Sequence, residues 1–177
     1  MKPPKSYLTK REQEIMECLF REGSVTGIVL NSSLIHSPQE APAQLAEQEK
    51  WLRAELTKAR DAGAGHIVIF QHHPWFLASA SEADQYFNIP LVRRAPYLAL
   101  FREFGVRYLF CGHYHRNAEG RDGPLENITS GPVGKPLGGA KSGLRVAIVR
   151  DAVIEHRYYE LGDLPTQIDL MTPPATR

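Results

Sequence analysis

Two short apolar runs constrain this chain more than any other feature, because each ends in a histidine-bearing turn. Ile67-Val68-Ile69-Phe70 leads into Gln71-His72-His73-Pro74, and Val106 to Cys111 leads into Gly112-His113-Tyr114-His115. A β-branched run without polar alternation reads as a strand buried on both faces. Between and around these runs the hydrophobic period changes to that of helices. Leu45, Leu52, Leu56 and Ala59 keep a helical phase over about 44–62, with Gly63 and Gly65 as the stop. Pro96 suits the first turn of a further helix that reaches Phe104, and Gly105 then opens the strand Val106 to Cys111. An earlier β-rich run, Ile28-Val29-Leu30, ends in the polar Asn31-Ser32-Ser33, and short strands follow at about 125–130, 144–150 and 153–159. Strand, helix, strand, helix, strand and then a series of strands imply an α/β layered domain, in which ligands gather outside the carboxyl ends of the strands. Both histidine clusters fall there.

The rest of the chain narrows the function class. With 177 residues, 42% hydrophobic content and 23% charged residues, one soluble globular core is expected. The 21 basic and 20 acidic side chains leave a formal net charge of +1, so no long-range field recruits nucleic acid, an anionic membrane or an acidic substrate. Neither nucleic acid nor membrane is an expected partner, and the uninterrupted apolar runs fall well short of the roughly 20 residues that span a bilayer. Cys18 and Cys111 lie far apart without CxxC spacing, which suits a reducing cytoplasm. The N-terminus, Met1-Lys2-Pro3-Pro4-Lys5, does not read as a signal peptide.

Residues 8–23 carry a well-marked helix signal: Thr9 and Glu12 have capping-box spacing, Leu8, Ile15, Met16, Leu19 and Phe20 share a face, and Gly23 is a stop. At the other end, 165–177 hold three prolines and little apolar periodicity.

Chemistry points to the histidines. Neutral imidazole ligates Zn, Fe, Ni and Cu, and Mn in mixed sites, so spacing decides whether rings share a centre. In an extended segment the i and i+2 side chains of His113 and His115 would point the same way, and His72 or His73 would close the site from the neighbouring strand. Other candidates read as structural: Trp51 as core or partial cover, His156 as a strand-face residue, His36 and His66 as ordinary histidines, and Cys111 as an inert apolar residue.

Gln71-His72-His73-Pro74, Tyr86-Phe87-Asn88-Ile89-Pro90, Gly112-His113-Tyr114-His115-Arg116-Asn117, Gly143-Leu144-Arg145-Val146 and His156-Arg157-Tyr158-Tyr159 occur in that order. Together they resemble the calcineurin-like metallophosphoesterases, in particular the small cytosolic serine/threonine phosphatase-like subgroup, from about Gly27 to Leu161. The resemblance implies the C-terminal half of an α/β/β/α sandwich with an extra N-terminal helix. It implies hydrolysis of a phosphoester by water activated at divalent ions, Mn, Fe or Zn. His72 and His113 would bind one ion and His115 the other, Arg116 would steady the phosphate, and His73 would stand outside the ligand set. The family's Asp-x-His, Gly-Asp-x-x-Asp and Gly-Asn-His-Asp/Glu motifs are absent from the 177 residues. The expectation is therefore an incomplete domain, holding only one ion, with weak or no turnover by itself. A non-catalytic metal-binding or interaction module is the alternative. An open sheet edge would give a route to self-association. Residues 1–25 resemble the first helix of penicillinase-repressor-type winged-helix regulators, without a recognition helix to follow. The expected organisation is 1–26 as an unrelated helix, 27–162 as the partial phosphoesterase domain and 163–177 as a poorly structured tail.

Overall fold

The computed structural model describes residues 25–168. The expected helix at 8–23, its winged-helix resemblance and most of the C-terminal tail lie outside the described residues.

The chain runs through β1 (Val25–Val29), a short helix α1 (Ser32–His36), a 3-10 turn (Pro38–Glu40), α2 (Pro42–Asp61) and β2 (His66–Phe70). It continues through α3 (Leu91–Glu103), β3 (Tyr108–Cys111), β4 (Ala118–Asp122) and β5 (Leu125–Thr129). The hairpin β6 (Gly143–Val149) and β7 (Ile154–Glu160) precedes a 3-10 turn at Leu161–Asp163. One sheet has the order β1-β2-β3-β5-β4; its first four members pair in parallel and β4 pairs antiparallel with β5. β6 and β7 form a separate antiparallel pair. The architecture is thus mixed α/β around a mostly parallel sheet, as a partial α/β sandwich requires.

Burial explains the layering. Along β2, Ile67 and Ile69 pack into the larger core with Leu45, Leu52 and Leu56 of α2 and Leu98 and Phe101 of α3. The intervening Val68 faces the other way and joins Tyr108, Ile128 and Ile154 in a second cluster, which sits under the β6–β7 hairpin. Polar contacts help fasten that hairpin: the Ile154 amide donates to the Tyr108 hydroxyl at 2.9 Å, and His66 Nε2 donates to the Arg150 carbonyl at 2.6 Å. His66 is therefore structural. Trp51 lies on α2 with 38% of its surface exposed, partial cover rather than core. No described helix is long and apolar enough to cross a membrane.

Three local expectations change. The third helix starts at Leu91, so Pro96 lies inside it, where it cannot donate a backbone hydrogen bond to the preceding turn. The helix start is capped from a distance, Asp84 Oδ1 accepting from the Leu91 amide at 2.6 Å. Ala118–Asp122, outside the strands expected from the sequence, forms β4, which is held by its ladder with β5. Asn31-Ser32-Ser33 opens a helical turn, with the Asn31 side chain accepting from the Ser33 amide at 3.1 Å.

Candidate functional site

Adjacent parallel strands bring the two histidine turns together. β2 and β3 end side by side, with Phe70 opposite Phe110. The pairing extends one step further as the Gln71 amide donates to the Phe110 carbonyl at 3.1 Å and the Gly112 amide to the His72 carbonyl at 3.0 Å. Beyond Gly112 the backbone departs from extended geometry. His113 and His115 both have positive φ, 63° and 54°, a region that non-glycine residues enter at a cost of roughly 1–2 kcal/mol each. Side chains at i and i+2 therefore do not follow a strand's alternation here.

Their rings find different partners. His113 Nδ1 lies 3.0 Å from His72 Nε2, and its Nε2 is buried. His73 stands over the same ring with centroids 4.4 Å apart. One ring nitrogen from each of His72, His73 and His113 lies within 4.8 Å of the others. His115 instead donates from Nδ1 to the Lys135 carbonyl at 2.6 Å. That contact fixes the proton on Nδ1 and leaves Nε2 bare. Among the described residues no carboxylate joins the histidine group.

Burial and mutual repulsion keep these imidazoles neutral. Desolvation, followed by the fields of His113 and His72, lowers His73 to about 4. His72 is lowered by desolvation and then by His113 and His115. Desolvation lowers His113 as well, against a contrary hydrogen bond involving the Tyr86 backbone. Neutral imidazole is the ligating form, so the cluster is ready for a cation near neutral pH.

Arg116 follows His115 in the chain and packs on the same turn. Its guanidinium carbon stands 4.3 Å from the Tyr114 ring centroid, and its Nε is buried without a partner. Gly138 is its back wall: a Cβ there would lie 3.0 Å from Arg116 Nη1. Tyr86 and Phe87 flank His113 at ring distances of 5.2 and 5.8 Å, and Tyr86 is 75% exposed.

Sequence reasoning missed what holds those aromatics. Glu82 accepts the amides of Leu77, Ala78 and Ser79 and the Asn88 side-chain amide. The fully buried Arg94 donates to the carbonyls of Trp75 and Glu82. The only sequence signal was composition, a polar loop holding a lone Glu and Asn. His36, which reads from the sequence as an ordinary histidine, stacks on His73 at 4.8 Å. Cys111 is buried, and burial pushes its thiol up to about 12, which suits an inert residue. His156 is buried among Glu126 and Arg145, away from the cluster, as a strand-face residue should be.

No family model matches the chain. Curated relatives do. The chain is 41% identical over 145 residues to the serine/threonine-protein phosphatase CPPED1 of Bos taurus, covering 82% of this chain and 46% of that protein. It is 40% identical over 146 residues to the protein of that name from Homo sapiens and 37% over 145 residues to that from Danio rerio. The chain resembles part of a metallophosphoesterase. It spans about half the length of the curated relatives it matches, 46% in the bovine case. In structure it is similar to the solved GAP50, described as the anchor in the inner membrane complex of Plasmodium. The TM-score is 0.54 at 16% identity, over 66% of this chain and 35% of that one, which speaks for the fold alone. The winged-helix resemblance of the first 25 residues finds no support among these relatives.

Proposed function

We propose that this chain carries part of the active site of a metal-dependent phosphoric-ester hydrolase of the serine/threonine phosphatase type. The observation that carries the reading is the meeting of His72 and His113 at the ends of adjacent parallel strands, within a stretch about 40% identical to phosphatases of that name. The residues fit a cation: the imidazoles are neutral, and one ring nitrogen from each of His72, His73 and His113 lies within 4.8 Å of the others. A divalent ion, Mn, Fe or Zn, bound there would supply a Lewis acid for a phosphoryl oxygen and an activated water. His72 and His113 hold that ion, and His115 Nε2 is available to a second. Arg116, pinned by Tyr114 and Gly138, presents a fixed guanidinium to the phosphate. The setting is cytoplasmic, and the edge strand β1 offers backbone groups for self-association.

The alternative, a metal-binding module without turnover, draws on the absence of a carboxylate from the histidine group among the described residues. One experiment separates the two. Purified chain is assayed on a phosphomonoester with Mn or Zn supplied, alongside elemental analysis and the His113→Ala variant. The expected result is bound metal with slow, chelator-sensitive hydrolysis that His113→Ala abolishes. Bound metal without hydrolysis selects the module, and hydrolysis indifferent to chelator and to His113→Ala refutes the metal-dependent reading.

A further inference from the structure

We propose that His73 is the third ligand of a single three-imidazole cation site with His72 and His113, and that Ser32 is the residue that orients it. The proposal rests on the reading of His72 and His113 as ligands and departs from the resemblance, which leaves the residue after the strand-end histidine outside the set.

Three strand ends build the site. The chain leaving β1 supplies Ser32, the chain leaving β2 supplies His72 and His73, and the chain leaving β3 supplies His113. Ser32 is 2% exposed, and its hydroxyl makes two contacts to one residue: it accepts from the His73 amide at 3.0 Å and lies 2.9 Å from His73 Nδ1. With Nδ1 bound to Ser32, Nε2 is the nitrogen left to ligate. Metal-bound histidines are commonly fixed in this way by a hydrogen bond at the other ring nitrogen. His36, from the same short helix as Ser32, backs the His73 ring at 4.8 Å with planes 16° apart. The ring thus has its height set by a hydroxyl and its plane set by a stack.

The three ligand atoms lie within 4.8 Å of one another. Nitrogens sharing a tetrahedral ion with bonds of 2.0–2.1 Å stand roughly 3.3 Å apart, so binding an ion draws the three rings closer together, His72 and His113 moving toward the held His73. Three imidazoles without a carboxylate favour a borderline transition ion such as Zn or Co over Mg or Ca. A fourth position is left for water or substrate oxygen, as in open sites. His115, tied to the Lys135 carbonyl through Nδ1, is not part of this triad.

The test is titration of the purified 177-residue chain with Zn(II) by calorimetry and with Co(II) by visible absorption. One ion per chain is expected. His73→Gln should weaken Zn(II) by at least about 10-fold, and Ser32→Ala by about 10–100-fold with recovery in Ser32→Thr. His115→Ala should weaken it by a smaller factor than His73→Gln. If His73→Gln binds like wild type while His72→Ala and His113→Ala lose the ion, the third-ligand assignment is wrong and the two-histidine reading survives. Wild type that binds no Zn(II) overturns both. Two ions per chain, one of them lost in His115→Ala, restores the ligand set of the resemblance. Should His73→Gln fail to fold by circular dichroism, the Ser32→Ala and Ser32→Thr pair and the wild-type Co(II) band intensity, which distinguishes four-coordinate from six-coordinate sites, decide the matter.

Discussion

Glu82 is the residue whose removal should most change the loop beside the histidines. Its side chain is 14% exposed and stands 3.8 Å from the fully buried Arg94. Five hydrogen bonds end on its carboxylate, from Leu77 and Ala78 at 2.8 Å, Ser79 at 3.1 Å, Asn88 at 2.7 Å and the exposed Gln85 side chain at 3.5 Å. The Ala78 and Ser79 amides are solvent-exposed and can turn to water, whereas the Leu77 and Asn88 bonds are part-buried. Each part-buried bond to a charged acceptor is worth about 1.5–3 kcal/mol. Breaking a buried ion pair by removing one partner costs about 3–5 kcal/mol, so Glu82→Ala should lose about 3–5 kcal/mol. Glu82→Gln keeps one acceptor oxygen and should lose about half of that. Urea unfolding followed by tryptophan fluorescence reads this, because Trp75 is wholly buried next to the clamp. The pH dependence supplies a second check. Burial alone would raise the Glu82 carboxyl, but hydrogen bonds from Ala78, Asn88, Leu77 and Ser79 together outweigh it and hold the group below its ordinary 4.5. A depressed carboxyl stabilises the fold above its unfolded pKa, and the benefit is lost as pH falls through the folded value. The gap between wild type and Glu82→Gln should therefore be full at pH 7 and shrink below about pH 4.5. A loss under about 1 kcal/mol for Glu82→Ala, or a gap that does not narrow in acid, would refute the clamp.

Two further predictions concern the body of the domain. In Gly120→Ala the new Cβ would lie 2.7 Å from the Ala78 carbonyl oxygen and 2.8 Å from its carbon, so β4 or the clamped loop must shift. We expect a loss of at least about 2 kcal/mol by urea unfolding, since the obstacle is backbone; a change within about 0.5 kcal/mol would show that the loop gives way freely. For Cys111, a thiol pushed up to about 12 has a thiolate fraction at pH 8 of about one in 10⁴. Iodoacetamide followed by peptide mapping should leave Cys111 unmodified in native protein and label it in urea, and rapid native labelling would mean that the end of β3 opens.

Legibility in the sequence follows how local each determinant is. β2, β3 and α2 were readable because their apolar residues sit at the period of the element they form, and the placing of His72 and His113 at strand ends followed from that. β4 was not readable, since Ala-Glu-Gly-Arg-Asp has neither alternation nor β-branching and owes its conformation to the ladder with β5. The start of α3 was misread for a similar reason: its capping group, Asp84, lies seven residues upstream of Leu91 in a loop folded by Glu82. Ser32 and His36 joined the histidine group only through a helix too short to announce itself, 41 residues before His73 in the case of Ser32.

The conformation of Gly112-His113-Tyr114-His115 is where local pattern reasoning failed for an identifiable cause. Extended geometry would have sent both rings to one side, but two left-handed residues bracket Tyr114 and break the alternation. That strain, of order 1–3 kcal/mol per residue, persists only when the surroundings fix it. The Tyr114 amide donates to the Gly112 carbonyl at 2.7 Å, and His115 both donates to Lys135 and accepts the Leu137 amide at 3.1 Å through its carbonyl. The tetrapeptide thus works in two directions. His113 turns toward the ends of β1 and β2, while His115 ties down the 131–142 loop that carries Gly138 against Arg116. The hydrogen bond to Lys135 uses Nδ1 alone, so His115 can meet a cation through Nε2 without releasing the loop, whereas ligation through Nδ1 would detach it. The division of labour between the two histidines is set by which nitrogen each has left over.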